Sequence, residues 1–264
     1  MPTPCDLLTL GRRVSFGLLL VPVVSLGLPT PRLLQAQATD ATPQQAPASR
    51  SPSNRPSASS PAMQRLGGMF SPQIQSIVNA CWERGKVNLS PQAAPDTPVI
   101  CGDGRPEAQI THRTYVETVS DILTASSLVG FRAVMQSDPR LTPEMLRMFI
   151  SNSEGMTVLR NTIQTAITQS QLVSSPNSPS TAVLTEAVVS RLVPVLRDPN
   201  GVTGLLGTPQ QYDRVVRSFC NPPGTTIEQA RTQIPELSSL QLYAICIQES
   251  GVTQEVVPGS GRPR

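Results

Sequence analysis

The chain has 264 residues, among them 21 Lys/Arg, 18 Asp/Glu, one histidine and five cysteines. Its formal charge of +3 comes without any Lys/Arg cluster, so no nucleic-acid partner is expected. A single histidine, His112, rules out a His-rich zinc site within one chain and restricts Ser/His/Asp or Cys/His chemistry to that one residue.

The first segment, residues 1–38, reads as a signal peptide. Arg12-Arg13 supplies charge, residues 14–28 (VSFGLLLVPVVSLGL) supply an apolar run, and Ala36-Gln37-Ala38 supplies a small-x-small cleavage site before Thr39. The apolar run contains Pro22 and is shorter than the roughly 20 residues that span a bilayer, so contact with a membrane is expected only through this segment if it stays uncleaved. The stretch GRRVSF resembles a twin-arginine export signal, but Ser15 stands where that pattern places a large apolar residue, which favours the general secretory route. No cysteine follows the run closely enough to accept a lipid. Cleavage removes three arginines and one aspartate, leaving 18 basic against 17 acidic residues, a charge of +1.

Residues 39–66 are rich in Pro, Ser, Ala and Gln and lack periodic apolar positions, which predicts a disordered linker. The fold class predicted for residues 67–250 is all-α: one mainly helical domain of about six to eight helices stapled by two disulfides, followed by a flexible tail at 251–264. In an exported protein Cys5 leaves with the signal, and Cys81, Cys101, Cys220 and Cys246 enter an oxidising compartment as an even set. Four cysteines allow three pairings. Cys81 with Cys101 and Cys220 with Cys246 are favoured because both close short loops between neighbouring elements.

Three helix starts share one device, a Ser or Thr followed by Pro: Ser71-Pro72, Thr142-Pro143 and Thr208-Pro209. After Ser71, the spacing of Ile74, Ile77, Val78 and Cys81 marks one helical face. Thr114 and Glu117 suggest a capping box opening a long helix whose inward stripe runs from Val119 to Val134 and which ends near Ser137. Residues 156–172 repeat the pattern with Met156, Leu159, Ile163, Ala166 and Ile167. Ser180 is expected to cap the next helix, with Leu184, Val188 and Leu192 inward and Pro194 kinking or ending it. The helix from Pro209 carries Tyr212, Val215 and Phe219 to Cys220. A short helix begins at Thr226, and a last one covers 236–249. No stretch alternates clearly enough to predict a sheet.

The stretch VICGDGR, residues 99–105, places a cysteine beside a Gly-Asp-Gly turn a few residues ahead of His112. In an oxidising compartment Cys101 is a disulfide sulfur and not a thiolate, so a stapled turn is expected and not a reactive or metal centre. Gly102 and Gly104 suit a turn with positive φ. Glu117 and Asp121 are one helical turn apart and point away from the inward stripe, which assigns them to a solvated face and not to a glycosidase-type pair. Residues 201–207 (GVTGLLG) lack the Lys-Ser/Thr ending of a phosphate loop. No cofactor or metal motif is present in the sequence.

One stretch is too apolar for its length. Met145, Leu146, Met148, Phe149 and Ile150 cover nearly every side of a short helix, which means deep burial or an adhesive exposed face. Burial is the first expectation, and Met145, Met148 and Phe149 form the candidate interaction surface. Together these features predict an exported, non-enzymatic interaction or structural module with an envelope or extracellular protein partner. The alternative is an exported hydrolase using carboxylates that sequence cannot pair.

Overall fold

The computed structural model describes residues 71–221 and 225–250. The expected signal peptide, the linker at 39–66 and the tail at 251–264 lie outside the described residues. Ser71 caps α1 (Pro72–Asn79), its hydroxyl accepting the Ile74 N–H. Thr142 and Thr208 do the same for α3 (Pro143–Ser151) and α6 (Pro209–Val215), each with a proline in the first turn.

Between α1 and the long helix the expectation of no sheet is corrected. Three short antiparallel strands, β1 (Val87–Asn88), β2 (Pro98–Cys101) and β3 (Pro106–Thr111), pair in the order β1-β2-β3. Strands of two, four and six residues are too short to print a clear alternation, and two of them begin on proline, which reads as a breaker. The molecule is thus mostly helical, with eight α-helices and a small sheet among the described residues.

β3 runs directly into α2 (His112–Ser137), so the expected capping box at Thr114 and Glu117 is also corrected. Thr111 is the cap, its hydroxyl accepting the Thr114 N–H. The N–H groups of His112 and Arg113 donate to the carbonyls of Thr97 and Pro95, at 2.8 and 2.9 Å. The loop before β2 therefore satisfies donors that the first turn of a helix otherwise leaves unpaired.

α2 is the axis of the core. α8 (Ser239–Glu249) packs along one part of it and α5 (Pro179–Arg197) along another, which is why Ala125, Leu128, Val129 and Phe131 are all buried. α3 and α4 (Ser153–Gln169) cover α5 from behind. A π-helical turn, Val216–Cys220, continues α6 and meets α8, and α7 (Ile227–Gln233) packs beside them. α5 is long and apolar enough to cross a membrane by length and composition; here half of its apolar window is buried within the fold.

Ser180 does not cap α5; Ser178 does. Ser180 is instead buried, donating to the Val87 carbonyl and accepting the Leu89 N–H at 2.8 Å, and so fastens the sheet to α5. Pro194 does not end α5, which continues to Arg197 with the proline ring on its exposed side. The last helix starts at Ser239 and not at 236, because Ser238 and Gln241 form a capping box there. Two disulfides, Cys81–Cys101 and Cys220–Cys246, join the ends of α1 and β2 and the π turn and α8.

Candidate functional site

The stapled turn forms as the sequence suggests, and its polar groups are consumed in holding it. Cys81, at φ 64°, and Cys101 are both buried. Arg84 donates through Nε and Nη2 to the two Asp103 carboxylate oxygens, at 2.9 and 3.1 Å, and through Nη1 to Glu107 at 3.4 Å. This guanidinium beside Asp103 holds its carboxyl below the usual range, helped by the Arg105 backbone N–H. Lys86 lies 3.4 Å from the Trp82 ring centre, and burial pushes its ammonium pKa down. His112 sits at the far end of β3. Its Nε2 is buried without a partner, and burial lowers its pKa against the opposing effect of the Ser90 backbone.

The apolar run of α3 is divided by the helix into two faces. Leu146 and Ile150, four apart, are buried, Met145 and Phe149 are half-buried, and Met148 is 61% exposed. Asn152 turns the chain tightly: its N–H closes α3 on the Phe149 carbonyl, and its side chain opens α4 by accepting the Glu154 N–H at 3.0 Å. Gly155 makes this corner possible, since a β-carbon there would strike the Phe149 carbonyl. Sequence reasoning missed both residues, although an Asn followed three residues later by Gly between two apolar runs is a turn signal.

Met148 borders an open groove of about 590 Å³ lined also by Glu144, Arg147, Ser151 and Asn152. Arg147 donates to Glu144 at 2.8 Å, while its Nε is buried without a partner. The Glu144 carboxyl is held low first by its own backbone N–H in the opening turn of α3, then by the Thr142 hydroxyl and Arg147. The groove combines an exposed thioether, a bound ion pair and amide and hydroxyl groups.

Glu117 and Asp121 are not brought together as a pair. Glu117 is exposed, whereas Asp121 is half-buried and accepts from Arg191 Nε on α5 at 2.7 Å. Burial raises the Asp121 pKa against the opposing pull of Arg191. The assignment of Asp121 to a solvated face is therefore corrected: α5 packs on α2 closely enough to cover it. A second cleft, of about 450 Å³, lies between the end of α5, the following loop and the start of α8, lined by Asp198, Asn200, Leu205, Ser238 and Gln241 among others. Its Gln241 is occupied, its carbonyl oxygen accepting the Ser238 N–H and its amide donating to the Gly204 carbonyl.

No known protein family matches the chain, and comparisons with curated proteins and with solved structures likewise find no match.

Proposed function

We propose that this chain is an exported, non-enzymatic helical module that engages an envelope or extracellular protein partner through the outer face of the α3–α4 corner. The observation that carries the reading is Met148. A large apolar side chain 61% exposed beside an open groove, on a helix that buries Leu146 and Ile150, supports a contact role rather than a core one. Two disulfides fit the oxidising compartment that export implies.

The test is a photo-crosslinking side chain at position 148 and, as control, at exposed Ser190, each in envelope fractions of the native host. Position 148 is expected to give a discrete adduct that unlabelled wild-type protein competes away. Met148→Asp should fold with an unchanged melting temperature yet compete at least about tenfold less well, the loss of one interface anchor. Equal adducts at both positions, undiminished competition, or failure of Met148→Asp to fold would each overturn the proposal.

The alternative, an exported hydrolase, is favoured by one feature, the half-buried Asp121 that retains its proton more readily than a solvated carboxyl. A hydrolase built on it would show turnover of chromogenic ester, peptide or glycoside substrates that Asp121→Asn abolishes. Turnover unchanged by that substitution would remove Asp121 from the reaction.

A further inference from the structure

The exposed side of α3 presents a short ridge whose two ends complement each other. Glu144, Met148 and the C-cap residue Asn152 follow at intervals of four and are all exposed, while Leu146 and Ile150 hold the helix to the core. A carboxylate stands at one end, an amide at the other and an apolar thioether midway between them. We propose that the partner of this face is a second copy of the chain, the two α3 helices meeting antiparallel about a two-fold axis at Met148. The proposal rests on the reading of the α3–α4 corner as a contact face and names its occupant.

A two-fold contact sets one patch against itself, so it forms only where the patch is its own complement. With Met148 on the axis of an antiparallel pair, a residue four places before it lies level with the residue four places after it on the other copy. Each Glu144 then faces Asn152 of the second copy, an acceptor opposite a donor, and the contact occurs twice. The groups at both ends suit that pairing. The Asn152 side-chain oxygen is committed to the Glu154 N–H at 3.0 Å, which leaves its NH2 to donate. One Glu144 oxygen accepts from Arg147 at 2.8 Å, and a carboxylate has lone pairs for further bonds.

The charge pattern allows the approach. Glu144 and Arg147 pair within the face and bring it to neutrality, so two copies do not repel as whole surfaces. The two Glu144 residues would lie about 12 Å apart along the pair, beyond the screening length of about 10 Å at 0.1 M salt. A partner of strong single charge would set a like charge against either Glu144 or Arg147, whereas a second copy opposes neither. At the centre the two Met148 thioethers meet, each a flexible apolar group left exposed in the single chain. α3 has nine residues, too few to bury by itself the roughly 1,200 Å² of a stable interface, so association is expected to depend on concentration.

The experiment uses the full, disulfide-bonded chain, purified and alone. Sedimentation equilibrium from about 10 μM to about 1 mM is expected to show monomer passing into dimer. A photo-crosslinking side chain at position 148 should give an adduct of twice the chain mass, joined to α3 of the other copy, while one at exposed Ser190 gives none. Asn152→Asp keeps a good cap for α4 but sets a carboxylate against Glu144 of the second copy. It should weaken the dimer at least about tenfold with an unchanged melting temperature, and adding Glu144→Gln should recover most of that loss. A chain that stays monomeric to about 1 mM, a crosslink that maps away from α3, or an Asn152→Asp dimer as strong as wild type would overturn the second copy as partner. An adduct to a different protein in envelope fractions, with only monomer in the purified chain, would also reject self-association while leaving the contact face standing; the face itself fails if position 148 gives no adduct in either setting.

Discussion

Replacing Gly102 by alanine is expected to harm the stapled turn more than replacing Gly104, although the two flank the same aspartate. A β-carbon on Gly102 would strike the Gly85 carbonyl and lie 2.9 Å from the Gly85 Cα. Neither backbone can retreat easily, because the Gly102 N–H donates to the Lys86 carbonyl at 2.7 Å and the next residue back is the disulfide-bonded Cys101. The cost should reach about 3 kcal/mol, the upper end for overpacking. Around Gly104 there is open space, and only its φ of 79° resists a side chain, worth about 1 kcal/mol. Urea denaturation of Gly102→Ala and Gly104→Ala measures both; equal losses would mean that the Gly85 and Gly102 backbones part freely. The sequence pointed to positive φ for both glycines, and only Gly104 has it. The need at Gly102 arises from a chain approach 17 residues away in sequence, as does the Arg84–Asp103 pair at a separation of 19, and local pattern carries no trace of either.

Among the elements, the helices were legible because their evidence is local. The Ser/Thr-Pro starts and the i, i+3, i+4 stripes depend on neighbours within two turns, and they place α1, α3 and α6 within a residue or two of their observed starts. What eluded the sequence depends on distant partners. β1 exists because Val87 and Asn88 meet Cys101 and Ile100 of β2, and because Ser180, more than 90 residues on, bonds the main chain of Val87 and Leu89. The run at residues 145–150 posed a choice between core and exposed face. α3 resolves it by doing both, burying Leu146 and Ile150 while Met148 faces solvent, since a helix lying on a surface has two faces whatever its composition. α8 shows the converse: Leu242, Tyr243, Ala244, Ile245 and Ile247 are all buried, because it is packed on several sides.

At the scale of the molecule, the two disulfides are expected to stabilise two regions of unequal strength. Each closes a loop with a sequence separation of 20 or 26 residues, for which chain entropy suggests about 3 kcal/mol, against a total of about 5–15 kcal/mol for a domain. Cys220–Cys246 anchors α8, which packs on α2 at the centre of the fold. Cys81–Cys101 anchors the small sheet, which reaches the helices through the start of α2 and through Ser180. The sole tryptophan, Trp82, adjoins Cys81 and reports on the sheet, whereas far-ultraviolet circular dichroism reports on the helices. With Cys81→Ala and Cys101→Ala combined, the Trp82 fluorescence transition in urea should precede the loss of helix, because the sheet loses its staple while the helical core keeps its own. With Cys220→Ala and Cys246→Ala combined, both signals should fall together at a lower urea concentration, since a core without α8 in place cannot support the sheet. Coincident transitions in the first variant would mean that the sheet and helices form one cooperative unit, with Ser180 and the loop on α2 coupling them more strongly than the disulfide does.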